Sequence, residues 1–197
     1  LNIKNSQYPV GSEWRRWDLH VHTPESQLGS SFIGTTWDQY LDALEAKALE
    51  FDIAVIGITD YMTVDGYKKI YEAINNTSSP RLSSVKFILP NIEFRAQPST
   101  KEGKALNIHL LINPTDSDHI DRIQRALQNL KISYDSTTYG CFKEDLIAFA
   151  KAQDPSIQDN RKAYKFGIEQ FKPSYQDILK WISNDGWLKK NSLIGIA

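Results

Sequence analysis

The chain has 197 residues, of which 41% are hydrophobic and 24% charged, and its formal net charge is -1. This balance is ordinary for one globular domain and gives no overall attraction to nucleic acid or anionic membranes, so any polyanion must be bound by a local patch. A single cysteine, Cys141, excludes an internal disulfide framework and a cysteine-rich zinc module, so a metal would have to be held by histidine and carboxylate side chains.

The two ends of the sequence indicate a segment of a longer protein, and the lone cysteine with no signal peptide favours the cytoplasm. Leu1 stands at the start instead of methionine, and residues 192–197 form an apolar run that is typical of a buried strand. We therefore expect an N-terminal arm over residues 1–13 and one domain over residues 14–197, with the chain continuing beyond it. No apolar stretch is long enough to cross a bilayer and no signal peptide opens the sequence, so no membrane partner is expected.

Strands alternate with helices through the first two-thirds of the sequence. Alternating or continuous apolar patterns predict strands at residues 16–22, 53–59, 85–92 and 106–112. A capping box of Thr36 and Gln39 begins the first helix, and Thr63 is predicted to cap the second. Such an alternation predicts parallel βαβ units and an α/β fold.

The remainder of the sequence has mostly helical spacing. Apolar residues from Ile120 to Leu130 predict a third helix, and residues 131–188 read as further helices, the last of them capped by Ser174. Residues 193–197 would form a fifth strand. No linker or repeat divides the chain.

Metal-capable side chains lie at the ends of four successive predicted strands. His20 and His22 share one face of the first strand, Asp60 follows the second, Glu93 follows the third and His109 lies on the fourth. In a barrel of parallel strands these ends converge on one rim, where active sites are built. Two residues span roughly 6 to 7 Å of strand, so both imidazoles can reach one metal cluster. The pattern predicts a divalent-metal site.

Each residue of this set also has a structural interpretation. A lone histidine on a strand is more often a hydrogen-bonded core residue than a ligand, and Asp60 could cap the helix that follows it. The coincidence of five such groups at four strand ends favours the metal site over these separate explanations. Asp18 is placed to hold an imidazole N–H of the site. The fourth histidine, His119, is predicted at the surface.

Mixed imidazole and carboxylate ligation suits zinc, manganese or iron better than calcium or copper. Such sites lower the pKa of bound water, and a pair of ions clamps the oxygens of a phosphate during displacement. We therefore expect divalent ions, two in number, and a hydrolytic reaction. Arg95, two residues after Glu93, is placed to grip a substrate phosphate, although an ordinary salt bridge would use it equally well.

The motifs at these positions resemble those of the PHP (polymerase and histidinol phosphatase) family. The family's Asp-Leu-His-x-His strand appears at residues 18–22, its Thr-Asp pair at residues 59–60, and its later Glu and His at Glu93 and His109. The likeness runs from about residue 14 to residue 114. It implies a distorted seven-stranded β/α barrel, here incomplete at its C-terminal end, which holds two or three metals and hydrolyses phosphoesters.

A narrower likeness and several departures qualify that comparison. Residues 15–17 and 59–61 resemble a bacterial subgroup in which a PHP domain precedes an SMC-like ATPase. Tyr61 stands where most members have a metal-binding histidine, and Gln27 stands where some have a ligand aspartate. The family's C-terminal Asp-x-His motif is absent from the sequence.

The leading hypothesis is a metal-dependent phosphoesterase that acts on nucleotides or nucleic acid, with metal-activated water as nucleophile and Asp60, Glu93 and Arg95 as catalytic residues. The alternative is a regulatory or interaction domain of a larger ATPase-containing protein, in which the barrel is kept and the chemistry lost. Amide or lactone hydrolysis at a similar site is a third option. Residues 161–190 have an excess of basic side chains, and the aromatic residues among them could stack on the bases of a nucleic acid. Amphipathic helices covering a barrel show the same pattern, and we favour this structural interpretation.

Overall fold

The computed structural model describes residues 14–29, 31–97 and 106–196, so the predicted arm over residues 1–13 lies outside the described residues. These ranges form a mixed α/β structure. The strands are β1 (Arg16–His22), β2 (Ile53–Tyr61), β3 (Phe87–Ala96), β4 (Leu106–Ile112), β5 (Lys131–Tyr134), β6 (Thr137–Gly140) and β7 (Ser192–Ile196). The helices are α1 (Trp37–Glu50), α2 (Asp65–Ile74), α3 (His119–Asn129), α4 (Lys143–Gln153), α5 (Asn160–Gln170), α6 (Tyr175–Asn184) and α7 (Gly186–Asn191). Within the described ranges, none of these helices has the length and apolarity that a membrane crossing requires.

One five-stranded sheet, in the order β1-β2-β3-β4-β7, carries the fold. The first three strands run parallel, but β4 is antiparallel to β3 and β7 is antiparallel to β4. The prediction of uniformly parallel βαβ units is therefore wrong for the last two strands. Only residues 97–105 separate β3 from β4, whereas a parallel crossover needs about a dozen residues or more. In the described part of the chain β1 and β7 are the two ends of the sheet, and closure into a barrel is not seen.

Capping residues determine where several of the helices begin. The capping box of Thr36 and Gln39 begins α1 as predicted, and Ser174 begins α6 through a capping box with Asp177. Thr63 does not cap α2, whose N-cap is Val64. The Thr63 hydroxyl instead accepts a hydrogen bond from the backbone N–H of the first helical residue, so it closes the turn that leads into the helix.

A β-hairpin of β5 and β6 interrupts the region that was predicted to be mostly helical. Its two turn residues, Asp135 and Ser136, both have positive φ values of 45° and 63°. Two consecutive left-handed residues are the requirement of the tight turn that matches the twist of paired strands. Asp-Ser is a weaker signal for that turn than Asn-Gly, which is why the alternating residues on either side did not predict a hairpin.

The two faces of the large sheet differ in what covers them. Ile58, Ile92, Phe94 and Ile108 point to one face and are almost completely buried there. Trp181 of α6 packs edge-on against Phe94, with ring centroids 5.9 Å apart, and its indole N–H donates to the Ala126 carbonyl. Trp181 therefore belongs to the core and is not available to stack on a base, in agreement with the structural interpretation of the basic segment. The opposite face carries the candidate site.

Candidate metal centre

Three predicted ligands meet on the sheet face opposite the core. Glu93 Oε2 lies 3.2 Å from His20 Nε2 and 3.5 Å from His22 Nε2, and the two imidazole nitrogens lie 3.2 Å apart. Ligands of a tetrahedral zinc ion, with bonds of about 2.0 to 2.1 Å, stand roughly 3.3 to 3.4 Å from one another. The spacing of these three donor atoms therefore fits one divalent ion.

An irregularity in β1 brings its two histidines to this position. The register of β1 on β2 shifts between Asp18 and Val21, and the Leu19 carbonyl accepts hydrogen bonds from Thr59 Oγ1 (3.2 Å) and Asn91 Nδ2 (2.7 Å). Gly57 permits this approach, because a Cβ at that position would lie 2.6 Å from the Leu19 oxygen. The bulge of β1 is thus anchored on β2, its neighbour in the sheet, and on β3, the strand beyond it.

The sequence suggested that Asp18 holds an imidazole N–H, but Asp18 bonds to the backbone instead. Its Oδ1 accepts a hydrogen bond of 3.2 Å from the backbone N–H of His20. The carboxylate therefore supports the irregular backbone of β1, because a short acidic side chain readily bonds to the main chain two residues further on.

Strand register places His109 beside Glu93. Tyr61, Glu93 and His109 are successive partners across β2, β3 and β4, and the His109 and His20 ring centroids lie 4.6 Å apart. Because β4 runs antiparallel to β3, His109 lies next to Glu93 as its partner in the strand pair. It does not lie at the C-terminal end of a parallel strand, as the barrel prediction had assumed. His109 is not part of the tight group of three donor atoms, and its Nδ1 faces the Asn91 amide at 3.0 to 3.3 Å.

Two buried polar atoms of the site have no partner among the described residues. They are Glu93 Oε1 and His109 Nε2, and the two residues are 0% and 7% exposed. A buried carboxylate oxygen or imidazole nitrogen without a hydrogen bond costs free energy, so each such atom in a folded protein calls for an explanation. A cation held among the four side chains would satisfy both atoms.

Hydrogen bonding sets the tautomer of His22. The Ser26 hydroxyl donates to the Leu28 carbonyl at 2.8 Å, and its oxygen lies 3.3 Å from His22 Nδ1. Since the hydroxyl proton is already used, the serine oxygen accepts from Nδ1–H of the imidazole. The lone pair of His22 is then on Nε2, the atom that faces Glu93 and His20, as a metal ligand requires.

Electrostatics favour the neutral form of two of the imidazoles. Burial lowers the pKa of His22 and of His109 below the usual value, although attraction to Glu93 partly opposes the shift in both cases. A histidine with a lowered pKa is neutral at pH 7, and only the neutral ring has a lone pair for a metal.

Asp60 lies outside the cluster, although it was predicted as a fifth ligand and a catalytic residue. Its carboxylate accepts from Thr23 N (3.2 Å) and from Thr23 Oγ1 (2.9 and 3.1 Å), and it also bonds to the backbone of Gly66 in the first turn of α2. Strand β2 continues to Tyr61, so alternation turns Asp60 to the face opposite Thr59 and Tyr61. Burial raises the pKa of Asp60 to about 6. The residue ties a loop and a helix to β2, which agrees with its structural interpretation.

Arg95 and Tyr61 border the donor atoms. Arg95 follows Glu93 by two residues on the same side of β3, and its guanidinium carbon lies 5.1 Å from the centroid of the Tyr61 ring. Tyr61 in turn stacks on His22, with centroids 5.4 Å apart and planes inclined by 15°. The sequence predicted Tyr61 only as the replacement of a ligand histidine. Its place beside Glu93 follows from the register of β2 on β3, which has no signal in the sequence.

Two further polar residues that the sequence singled out make hydrogen bonds of their own outside the donor cluster. Gln27 donates from its side chain to the Glu25 carbonyl at 3.0 Å, within its own loop. His119 is completely buried, not at the surface, with Nε2 3.0 Å from the Tyr67 hydroxyl and Nδ1 2.6 Å from the Asp116 carbonyl. The prediction for His119 is wrong because its polar sequence neighbours form the turn before α3, while its own ring faces inward.

Comparison with known proteins adds little to this picture. No family model matches the chain, and no curated protein matches it either. Among solved structures, a protein from Bifidobacterium adolescentis that is proposed to be a metal-dependent phosphoesterase is similar, with a TM-score of 0.40 and 16% sequence identity. The similarity covers 91% of this chain and 65% of that one. So low a score supports no inference about activity.

Proposed function

We propose that this chain is a metal-dependent phosphoesterase in which His20, His22, Glu93 and His109 hold a divalent ion. The observation that carries the proposal is the mutual spacing of 3.2 to 3.5 Å between three donor atoms that come from two different strands. Their chemistry suits zinc, manganese or iron. A second ion, as the family resemblance implies, would need ligands other than Asp60, whose oxygens are already engaged by Thr23 and Gly66.

The reaction class follows from the ligand chemistry together with the motif resemblance. When bound, the ion would supply a Lewis acid that lowers the pKa of a water molecule and neutralises phosphate charge. The chain itself contributes neutral imidazoles at His22 and His109 and a cation at Arg95, whose planar guanidinium matches two oxygens of a phosphoryl group. Nucleotides or nucleic acid are the substrates that we propose, on the resemblance to PHP domains.

We also propose that the sheet belongs to a PHP-type barrel. Apolar side chains stand exposed at both ends of the sheet, with Trp17 of β1 at 65% and Leu193 of β7 at 75%. Further strands of a barrel would cover such residues. An SMC-like ATPase joined to this domain in the cytoplasm is a proposal that rests on the motifs at residues 15–17 and 59–61 alone.

The test measures metal content and hydrolysis in the same preparations. The purified chain is analysed for bound zinc, manganese and iron by elemental analysis, and hydrolysis of bis(p-nitrophenyl) phosphate is assayed with each metal. We expect about one tightly bound ion, and a loss of turnover of at least about 100-fold in His20→Ala and Glu93→Gln, more than the removal of an outer-sphere partner causes. Glu50→Gln, which removes a surface carboxylate paired with Lys47, is the control.

Two results would contradict the proposal. A chain that binds none of the three metals has no such centre, and turnover that survives His20→Ala cannot depend on it. Tight metal binding without hydrolysis of any phosphoester would favour the alternative, a domain that has kept its metal for structure or regulation. The position of Asp60 away from the cluster is the observation that favours that alternative.

A further inference from the structure

We infer that Tyr61 is a positioning residue for substrate phosphate, because it holds the guanidinium of Arg95 at the edge of the metal centre. This inference rests on the proposed function and deepens it. The group recognised is a tetrahedral phosphoryl oxyanion, and the pair that recognises it is the stacked ring and cation of Tyr61 and Arg95.

The Tyr61 ring is fixed from several sides. Register on β3 places its backbone directly beside Glu93, and its ring lies nearly parallel to the His22 imidazole. Gly29, which has a φ of +68°, brings its loop against the same two rings, since a Cβ there would lie 3.3 Å from His22 Nε2 and 3.5 Å from Tyr61 Cε2. A ring packed in this way rotates little, and it presents a defined aromatic face to Arg95.

The Tyr61 ring lies between a proposed metal ligand and Arg95. Strand register pairs Tyr61 with Glu93, and the Arg95 guanidinium carbon lies 5.1 Å from the centroid of the Tyr61 ring. Tyr61 therefore has a proposed metal ligand beside it in the sheet and the Arg95 cation against its ring. The aromatic face attracts the guanidinium, and its plane fixes the orientation of the N–H donors.

This arrangement gives Arg95 a function that a mobile arginine would perform less well. Strand alternation puts the Arg95 side chain on the same face of β3 as Glu93, which is the face that would hold the metal. A preorganised guanidinium loses little conformational freedom when it binds two phosphoryl oxygens, and binding is tighter to that extent. Tyr61 thus affects substrate affinity without ligating the metal.

The experiment uses inorganic phosphate as the probe and separates its binding from that of the metal. Inhibition constants for phosphate, KM and kcat for bis(p-nitrophenyl) phosphate, and metal affinity by calorimetry are measured for the chain and for Tyr61→Leu, Tyr61→Phe and Arg95→Gln. We expect Tyr61→Leu and Arg95→Gln each to raise the inhibition constant and KM about tenfold, with metal affinity within about twofold of the parent. Tyr61→Phe, which keeps the ring, should lose less.

A double variant tests whether the two residues act together. If Tyr61 acts through Arg95, adding Tyr61→Leu to Arg95→Gln should weaken phosphate binding little further. Arg122→Gln is the matched control, because Arg122 lies over Trp187 at 5.8 Å in a similar arrangement on another part of the surface, and it should change nothing.

Several outcomes would overturn the inference. They are unchanged phosphate inhibition in Tyr61→Leu, fully multiplicative effects in the double variant, or a loss of metal affinity that shows Tyr61 to act on His22 instead. If Tyr61→Leu does not fold, Arg95→Lys takes its place, since it keeps the charge but loses the planar fork, and an unchanged inhibition constant would count against the idea. Phosphate binding can also be followed by calorimetry in the metal-loaded chain without turnover, so failure of the proposed activity remains distinguishable.

Discussion

Buried polar side chains connect the strands around the candidate centre. Asn91 donates to the Leu19 carbonyl of β1 and contacts Thr59 of β2 and His109 of β4, while it is itself only 2% exposed. Such a network is stable in a low-dielectric surrounding only when its donors and acceptors are matched. At the scale of single residues, the site is therefore organised by hydrogen bonds that leave Glu93 Oε1 and His109 Nε2 as the unmatched atoms of the described chain.

Asp60 gives a pH-dependent contribution to stability whose sign can be predicted. Its pKa is raised from 3.8 to about 6 in the folded state, chiefly by burial, so the folded chain keeps a proton that the unfolded chain releases between these values. The resulting stabilisation is complete below about pH 4 and is lost as the pH rises through 6. Relative to Asp60→Asn, the free energy of unfolding should fall by at most about 3 kcal/mol between pH 4 and 7.

Urea unfolding at several pH values, in the presence of a chelator, measures this difference. Asp118→Asn is the control, because Asp118 is exposed and its bond to Arg122 lowers its pKa, so its contribution should appear as the pH rises. A difference between the parent chain and Asp60→Asn that does not vary with pH would show that the carboxyl is not perturbed.

Among the elements, β1 is the one whose irregular shape the site requires. A regular edge strand would keep Leu19 in the ladder, whereas the register shift turns its carbonyl toward Thr59 and Asn91. Gly57 in β2 makes room for that carbonyl, and any Cβ there would meet backbone atoms that cannot rotate away. The glycine and the two histidines thus depend on each other, although they lie on different strands.

Replacing Gly57 by alanine should damage the metal centre as well as the fold. A Cβ at 2.6 Å from the Leu19 oxygen and 2.8 Å from its Cα must displace β1, which carries His20 and His22. We expect Gly57→Ala to lower zinc affinity at least about tenfold and the free energy of unfolding by about 1 to 3 kcal/mol. Calorimetry and urea unfolding measure the two effects. Gly186→Ala, where an added Cβ meets nothing within 4 Å, should change neither, and equal behaviour of the two variants would contradict the prediction.

Taken as a whole, the molecule brings its ligands together only when it is folded. His20 and His22 come from β1, Glu93 from β3 and His109 from β4, so an unfolded chain offers no preformed site. Metal that binds the folded chain preferentially must therefore stabilise it. Core packing on the opposite face of the sheet and metal binding on the site face both involve β3 and β4.

Added zinc or manganese should raise the melting temperature of the chain. At a free metal concentration about 100 times the dissociation constant, the expected gain in unfolding free energy is about 2.7 kcal/mol, and a chelator should reverse it. Thermal denaturation followed by circular dichroism measures the shift. Glu93→Gln should show little or no shift, and a shift of the same size in that variant would mean that the metal binds elsewhere.

Much of the local structure could be predicted from the residues themselves. The capping box of Thr36 and Gln39, the bounds of β1 and β4, and the placement of His20 and His22 on one strand all follow from short-range patterns. Those patterns reflect side-chain alternation, apolar periodicity and local hydrogen bonds, which involve residues only a few positions apart. The types of side chain also limited any metal to imidazole and carboxylate ligands.

Tertiary structure decided what depends on distant partners. The direction of β4 brought His109 beside Glu93, the extension of β2 to Tyr61 turned Asp60 away from the cluster, and packing between helices buried His119. Pairing direction and register are set by connections and by the other strands, and these have no signature within a single segment. The sequence by itself therefore determined which residues could hold a metal, whereas the sheet decided which of them meet, because their donor atoms come together only through contacts between strands far apart in the chain.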